Sequence, residues 1–250
     1  MIKWQIRYNN MKEFDLNIPL SLSGITLGQY QDYLKVLDKW DKEDETYLNI
    51  KILQIFCGLS PEFATSIPLH AFESTIAQVT GLFESETPLE RKFKMTGLNS
   101  VGDENTVEFG FIPKLDDISF GEYIDLESYL GDWQQMHKAM AVLFRPVYHS
   151  KREYYLIDKY EGSDKYSQVM KDMPLSVALG ATVFFYRLGI KLQKYTLDSL
   201  EEDILKGEMT NPLYKGTSEE NGDGFKAYIR LHREMLEGLM KLQKPLFTSA

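Results

Sequence analysis

The sequence predicts an α+β fold that is predominantly helical, in which a unit made of a β-hairpin and helices occurs twice, with an added C-terminal amphipathic helix. Two observations predict the internal duplication: a pair of similar helix starts, and a proline-led helix downstream of each start. A third observation, apolar residues spaced three and four apart near the end of the chain, predicts the terminal helix.

The two helix starts have nearly the same sequence. One is ITLGQY at residues 25–30 and the other is ISFGEY at residues 118–123. In each, Thr or Ser is followed three residues later by Gln or Glu, which is the pattern of a capping box. An apolar residue before the cap and an aromatic residue close to the N4 position also indicate a hydrophobic staple. Helices are therefore predicted to begin after Thr26 and after Ser119.

A β-hairpin is predicted before each capped helix. Apolar and polar residues alternate over Ile2–Tyr8 and again over Phe14–Ile18, on either side of an Asn-Asn turn. In the second copy, Arg91–Met95 and Thr106–Ile112 flank a turn-rich segment. A proline follows the last strand of both hairpins, where it ends the strand pairing.

Each capped helix is followed by an apolar helix and then by a helix led by proline. The apolar helices are predicted over Leu48–Cys57 and Met136–Phe144. The proline-led helices are predicted after Pro68 and Pro174, within Ile-Pro-Leu and Met-Pro-Leu.

The spacing of these markers locates an insertion. Thr26 and Ser119 are 93 residues apart, whereas Pro68 and Pro174 are 106 apart, so the second copy carries 13 extra residues. The aromatic, charged segment near 147–160 is where we place them. The predicted organisation is a first repeat over 1–90, a second repeat over 91–195 and a C-terminal helical extension over 196–250.

The C-terminal helix has an apolar stripe from Phe225 to Leu242 that is rich in Met and Leu. Methionine adapts to irregular surfaces, so the stripe is suited to a partner's groove, and packing on its own chain is an equally weighted alternative. The predicted partner-binding residues are Tyr228, His232, Met235, Leu239 and Met240.

Composition and charge exclude several classes of function. A hydrophobic content of 43% is typical of a packed globular protein. The net charge of −9 makes nucleic acid an unfavourable partner, because phosphate binding depends on Lys and Arg. A single cysteine, Cys57, excludes an intramolecular disulfide and indicates a reducing compartment. The most apolar stretch, 177–186, is shorter than the roughly 20 residues that span a membrane, and we expect it to be buried.

The residues predict no catalytic, cofactor or metal site. Phosphate loops, nucleophile elbows, paired-histidine zinc helices and calcium loops are absent from the sequence. The nearest approach to a catalytic cluster is Asp125, Glu127, Asp132 and His137, in which carboxylates accompany an imidazole. Structural roles are the preferred interpretation, since acidic residues early in a helix complement its dipole.

Three runs resemble proteins of tailed bacteriophages. They are FGFIPKLDDISFGEYIDL at 109–126, HKAMAVLFRP at 137–146 and MPL at 173–175. They are similar to uncharacterised structural or morphogenesis proteins of crAss-like gut phages and their marine relatives, and the resemblance covers mainly residues 107–190. The matched residues belong to turns and helix caps, so no functional residue is carried over.

The resemblance implies a virion or assembly role without catalysis: a capsid- or tail-associated protein, a packaged cargo protein or a tail-assembly chaperone. It further implies phage capsid, portal or tail proteins as partners, and a location in the host cytoplasm during infection or inside the virion. Two alternatives remain. One is an acid–base enzyme using Asp125, Asp132 and His137 in a cleft between the repeats. The other is a regulatory module that binds a host protein through its C-terminal helix.

Overall fold

The predicted strands and helices occur in the predicted order, and two further strands and a short helix are added between the apolar helix and the proline-led helix of the second predicted copy. The structure, a computed structural model, describes residues 2–8, 12–40, 44–60, 66–98, 104–151, 154–185 and 187. Within them the fold is mixed α+β and predominantly helical, as predicted. Residues up to Ala181 belong to one compact unit, and a second unit begins at Thr182.

The described strands form two antiparallel sheets. Their bounds are β1 Ile2–Tyr8, β2 Lys12–Ile18, β3 Lys92–Leu98, β4 Glu104–Phe111, β5 Phe144–Lys151 and β6 Tyr154–Ile157. β1 and β2 pair as a separate hairpin, with Ile2 opposite Ile18. The other four strands form one sheet in the order β3-β4-β5-β6. Both predicted hairpins are therefore confirmed.

Four of the described helices begin where the caps and prolines predict. Their bounds are α1 Leu27–Lys39, α2 Glu45–Cys57, α3 Leu69–Leu82, α4 Phe120–Tyr129, α5 Met136–Leu143, α6 Asp164–Ser167 and α7 over residues 175–185. Thr26 and Ser119 are the N-caps of α1 and α4, and Pro68 and Pro174 immediately precede α3 and α7. Gly58 ends α2 in the left-handed conformation that favours glycine.

The β5–β6 hairpin was not predicted from the sequence. It covers most of the segment 147–160, where the insertion was placed. The predicted apolar helix over Met136–Phe144 ends at Leu143, and Phe144 is already the first residue of β5. The start of β5 pairs with the end of β4, and its later residues pair with β6.

The core contains side chains from both predicted copies. Tyr30 of α1 meets Trp133 edge to face, with ring centroids 5.1 Å apart. The largest fully buried side chains are Tyr33, Phe111, Phe144, Ile25, Leu27, Ile52, Leu53, Met136, Met140, Leu143 and Met170. The duplication stays a prediction. The terminal helix also stays a prediction, because residues 188–250 lie outside the described part of the chain.

Candidate functional site

The start of α1 is closed by a capping box and covered by another segment. Gln29 donates its main-chain N–H to Thr26 Oγ1 at 3.2 Å, and Thr26 N–H reaches Gln29 Oε1 at 2.9 Å. The N–H of Leu27 donates to Met173 O at 3.0 Å, and the N–H of Leu175 donates to Ile25 O at 2.8 Å. The side chain of Leu27 is completely buried. The apolar face of α1 is therefore used inside the core.

The start of α4 has the same capping box but an exposed apolar surface. Glu122 N–H donates to Ser119 Oγ at 3.3 Å, and Ser119 N–H donates to Glu122 Oε2 at 2.8 Å. The exposed fractions are 80% for Phe120, 45% for Tyr123 and 42% for Ile124. Tyr123 and Ile124 follow Phe120 by three and four positions, so the three side chains lie on one side of the helix. We call them the α4 face, and it is the candidate binding site.

A buried polar network connects α4 to neighbouring elements. Arg145 at the start of β5 donates to Glu122 Oε1 at 2.5 Å, and both side chains are only 7% exposed. The Arg145 guanidinium lies 5.6 Å from the ring centroid of Tyr160, whose hydroxyl donates to Asp125. Arg145 Nε is buried with no hydrogen-bond partner among the described residues. The network fixes two carboxylates of α4 to β5 and to the segment that follows β6.

Burial, hydrogen bonds and the ion pair determine whether Glu122 and Tyr160 are ionised. Burial acts to raise the pKa of Glu122, but the hydrogen bonds from Ser119 and the ion pair with Arg145 outweigh burial and lower it. Burial, followed by the hydrogen bond to Asp125, raises the pKa of Tyr160. Glu122 is therefore ionised near neutral pH while the Tyr160 hydroxyl keeps its proton. Such a fixed arrangement suits a rigid support for the α4 face.

The four acid–base candidates have separate environments. Asp125 accepts from Tyr160, Asp132 accepts from the N–H of Gln134 at 2.8 Å, and Glu127 is exposed. His137 is buried and its Nδ1 lies 3.0 Å from Gln31 Nε2. Within the described residues no hydrogen bond or ion pair joins two of these four side chains, and no group of three or more His, Cys, Asp and Glu side chains could hold a metal ion.

His137 joins α5 to α1 through a buried polar contact. Gln31 Nε2 also donates to Trp133 O at 2.7 Å, and Gln134 Nε2 donates to Gln31 O at 3.0 Å. An amide nitrogen can only donate, so His137 Nδ1 accepts, which requires a neutral ring. Burial, then the charges of Lys171, Lys138 and Lys35, lower the pKa of His137.

This contact makes stability sensitive to acid. Because the folded state keeps His137 neutral, the unfolded chain binds an extra proton once the pH falls below about 6.5. The contribution of neutral His137 to the free energy of unfolding is at its maximum above that pH. It is lost as the pH falls toward the lowered pKa of His137 in the folded state. We expect urea denaturation to give a falling free energy of unfolding between pH 7 and pH 5.

His137→Gln is the matched variant, because it keeps a polar side chain for Gln31 and cannot titrate in this range. The fall in stability between pH 7 and pH 5 is expected to be smaller in the variant. Glu122 does not interfere, since its stabilising contribution is lost only below its ordinary pKa of 4.5. An unchanged pH dependence in His137→Gln would contradict the assignment.

Several further Cys, Trp and His side chains of the described residues have structural roles or lie on the surface. Cys57 is fully buried, and burial raises its pKa to about 12, so the thiol is unreactive. Trp133 is buried, whereas Trp40 is half-buried and donates its Nε1–H to Asp44 O at 2.9 Å. His70 and His149 are exposed.

The structure adds residues that sequence reasoning did not select. They are Arg145, Gln31 and Tyr160, for which no role was predicted from the sequence. Arg145 stands inside the apolar run AVLFRPV, and a charge in such a run signals a buried partner. The predicted partner-binding residues Tyr228, His232, Met235, Leu239 and Met240 lie outside the described residues, so that prediction stays open.

No protein-family model, curated protein sequence or solved structure matches the chain. Among the described residues, no helix has the length and apolar character needed to cross a bilayer.

Proposed function

We propose that this chain is a non-enzymatic virion or assembly protein of a tailed bacteriophage, acting through protein–protein contacts. Its role would be that of a capsid- or tail-associated protein, a packaged cargo protein or a tail-assembly chaperone. Its partners would be phage capsid, portal or tail proteins, met in the host cytoplasm during infection or in the virion. The resemblance of residues 107–190 to such phage proteins supports this proposal.

The observation that carries the proposal is the exposure of the α4 face. Phe120 is 80% exposed and is followed on the same side of the helix by Tyr123 and Ile124. Clustered exposed apolar residues typically mark interaction sites, and aromatic residues dominate binding energy at interfaces. The buried ion pair between Glu122 and Arg145 fixes α4, the helix that carries these three side chains, to β5. The surface is thus pre-organised, which lowers the entropic cost of binding.

Internal duplication is part of the same proposal. Two capping boxes with matching sequence and matching hydrogen bonds support it, as do two helices that begin directly after proline. The acid–base alternative requires Asp125, Asp132 and His137 to act on one substrate. Each of them is bonded to a different group, so the contacts favour binding over catalysis.

Phe120→Asp is the variant that tests the proposal. In infected cells, the unaltered chain is expected to co-purify with virions or with a capsid, portal or tail protein. Phe120→Asp should reduce the recovered amount about tenfold or more, as expected when an aromatic anchor worth at least ~1.4 kcal/mol is lost. Mass spectrometry of purified particles and of pulldowns gives the measurement.

Tyr148→Asp is the control, because Tyr148 is 65% exposed on β5 and lies outside the α4 face. It should leave recovery unchanged. Both variants should keep the unfolding midpoint of the parent, since neither residue is buried. Absence of the unaltered chain from both virions and pulldowns would overturn the proposed function.

A further inference from the structure

Four short segments of the chain form two matching kinds. The first and second cap segments are residues 25–27 and 118–120, which lead into α1 and α4. The first and second proline segments are residues 67–69 and 173–175, which lead into α3 and α7. Each cap segment reads Ile, hydroxyl residue, large apolar residue, and each proline segment reads Ile or Met, Pro, Leu.

The first cap segment and the second proline segment pair with each other. They form an antiparallel β-bridge in which Thr26 lies opposite Pro174. The two flanking hydrogen bonds, Leu27 N–H to Met173 O and Leu175 N–H to Ile25 O, leave the central pair without a bond of its own. A proline fits there because its missing N–H is not needed. Leu27 and Leu175 are both completely buried in the folded chain.

Among the described residues, nothing pairs with the other two segments, and these segments expose the equivalent residues. Phe120 is 80% exposed and Leu69 is 70% exposed, the two highest values among the large apolar side chains described. They occupy the positions of Leu27 and Leu175. In the described part of the chain, no main-chain carbonyl outside its own helix accepts from the N–H of Phe120 or of Leu69. The second cap segment and the first proline segment therefore each lack the pairing and the burial that their counterparts have.

We propose that the second cap segment of one chain pairs with the first proline segment of a second copy of this chain. The contact repeats the bridge already present within the chain: Ser119 lies opposite Pro68, the N–H groups of Phe120 and Leu69 are satisfied, and both side chains are covered. It rests on the duplication and the binding function proposed above, and it identifies the partner of the α4 face as the chain itself.

Gly121 supports a closely approaching partner. At the equivalent Gly28, a Cβ would lie 3.1 Å from Lys171 O in the segment that covers α1. At Gly121, a Cβ would meet nothing within 4 Å among the described residues. Glycine weakens a helix relative to alanine, and at Gly121 no positive φ requires it. A neighbouring chain that approaches Gly121 as Lys171 approaches Gly28 accounts for it.

The contact joins two different surfaces, the second cap segment and the first proline segment. This limits the kinds of oligomer that it can form. If both contacts form between the same two chains, the result is a closed two-fold dimer. If each chain uses its two patches on different neighbours, the result is a ring or a filament. In either case association requires both Phe120 and Leu69.

Sedimentation velocity of the full chain, at concentrations up to roughly 100 µM, within the range of weak protein contacts, tests the proposal. The unaltered chain is expected to associate. Phe120→Asp and Leu69→Asp are each expected to weaken association at least tenfold. Both residues are the first of their helix, where an acidic side chain complements the helix dipole, so folding is preserved. The control Tyr148→Asp should associate like the parent.

Mixing the two variants distinguishes this contact from any pairing of like surfaces. Phe120→Asp keeps an intact first proline segment, and Leu69→Asp keeps an intact second cap segment. Each is expected to be monomeric alone, and an equimolar mixture is expected to form heterodimers. If the α4 face paired with another α4 face, Leu69→Asp would associate by itself, and the proposal would be overturned.

Cysteine cross-linking gives a second measurement, which tests the contact even if one of the Asp variants fails to fold. Opposed residues of an unbonded antiparallel pair have Cα atoms about 4.5 Å apart, which is within disulfide range. Ser119→Cys mixed with Pro68→Cys should form a mixed disulfide under mild oxidation, while neither should do so alone. Cys57 is buried and does not compete.

A parent chain that stays monomeric and gives no cross-link overturns the proposal. If that monomer still co-purifies with virions through Phe120, the proposed function stands and the partner is another phage protein. If the chain associates as described but is absent from virions and pulldowns, the self-contact stands and the phage role falls.

Discussion

Replacing Arg145 by methionine is expected to lower the free energy of unfolding by about 3–5 kcal/mol. The guanidinium is the ion-pair partner of Glu122, and both side chains are only 7% exposed. Without it, Glu122 must stay ionised in a buried site or take up a proton that its hydrogen bonds from Ser119 disfavour. Urea denaturation at pH 7 measures the loss.

The exposed pair of Lys35 and Asp32 provides the matched control. These side chains are 57% and 64% exposed, and solvent screening limits such a pair to about 0–1 kcal/mol. Lys35→Met should therefore cost far less than Arg145→Met. In the double variant Glu122→Gln with Arg145→Met, the loss should be smaller than the sum of the single losses, because neither partner is left charged and buried. Equal costs for Arg145→Met and Lys35→Met would contradict the assigned role.

The consequence for binding follows from the position of Glu122. Its carboxylate accepts from the N–H and Oγ of Ser119 and from Arg145. The same side chain thus closes the capping box of α4 and ties that helix to β5. Losing Arg145 should weaken binding through the α4 face as well as stability, although Arg145 itself is buried beneath the helix.

Local sequence signals made most of the secondary structure predictable. Thr26 and Ser119 cap their helices with the hydrogen bonds that their sequences predict. Alternating residues predicted the first hairpin, a turn-rich segment between two strands predicted the second, and prolines marked α3 and α7. These features depend on residues within a few positions of each other, so a single sequence contains the information needed to predict them.

The β5–β6 hairpin was not predicted because a helix signal runs directly into a strand signal in this part of the sequence. The apolar run that forms α5 continues into Phe144, which makes the end of the helix invisible to periodicity. Val147–Ile157 is rich in aromatic and β-branched residues on either side of a few charged residues, which is a strand signal. Tertiary contact decides the outcome: the hydroxyl of Tyr155 on β6 donates to Phe111 O on β4 at 2.7 Å.

The candidate site was less predictable than the fold because it depends on distant contacts. The runs at 25–30 and 118–123 predict the same local structure, yet Leu27 is buried and Phe120 is 80% exposed. What differs is the covering segment, and Met173 is far from Leu27 in sequence. Glu122 was interpreted as a capping residue, which it is, but its buried partner Arg145 lies 23 residues away.

Replacing Gly180 by alanine is expected to destabilise the protein by about 1–3 kcal/mol or more. Gly180 is a buried residue of α7, and a Cβ there would lie 2.3 Å from Pro88 O and 3.0 Å from Pro88 C. These are main-chain atoms, so no side-chain rotation can relieve the contact. Either α7 or the segment before β3 must move, and both positions belong to the compact unit that ends at Ala181.

Gly81→Ala separates this clash from the general effect of alanine in a helix. Gly81 lies in the last turn of α3 and is exposed, and a Cβ added there would meet nothing within 4 Å among the described residues. Alanine favours helix by up to about 1 kcal/mol over glycine, so Gly81→Ala should be neutral or stabilising. Gly180→Ala should therefore lower the midpoints of thermal and urea unfolding, whereas Gly81→Ala should leave them unchanged or raise them. Similar shifts would show that Pro88 does not restrict position 180, because helix propensity alone predicts a gain at both.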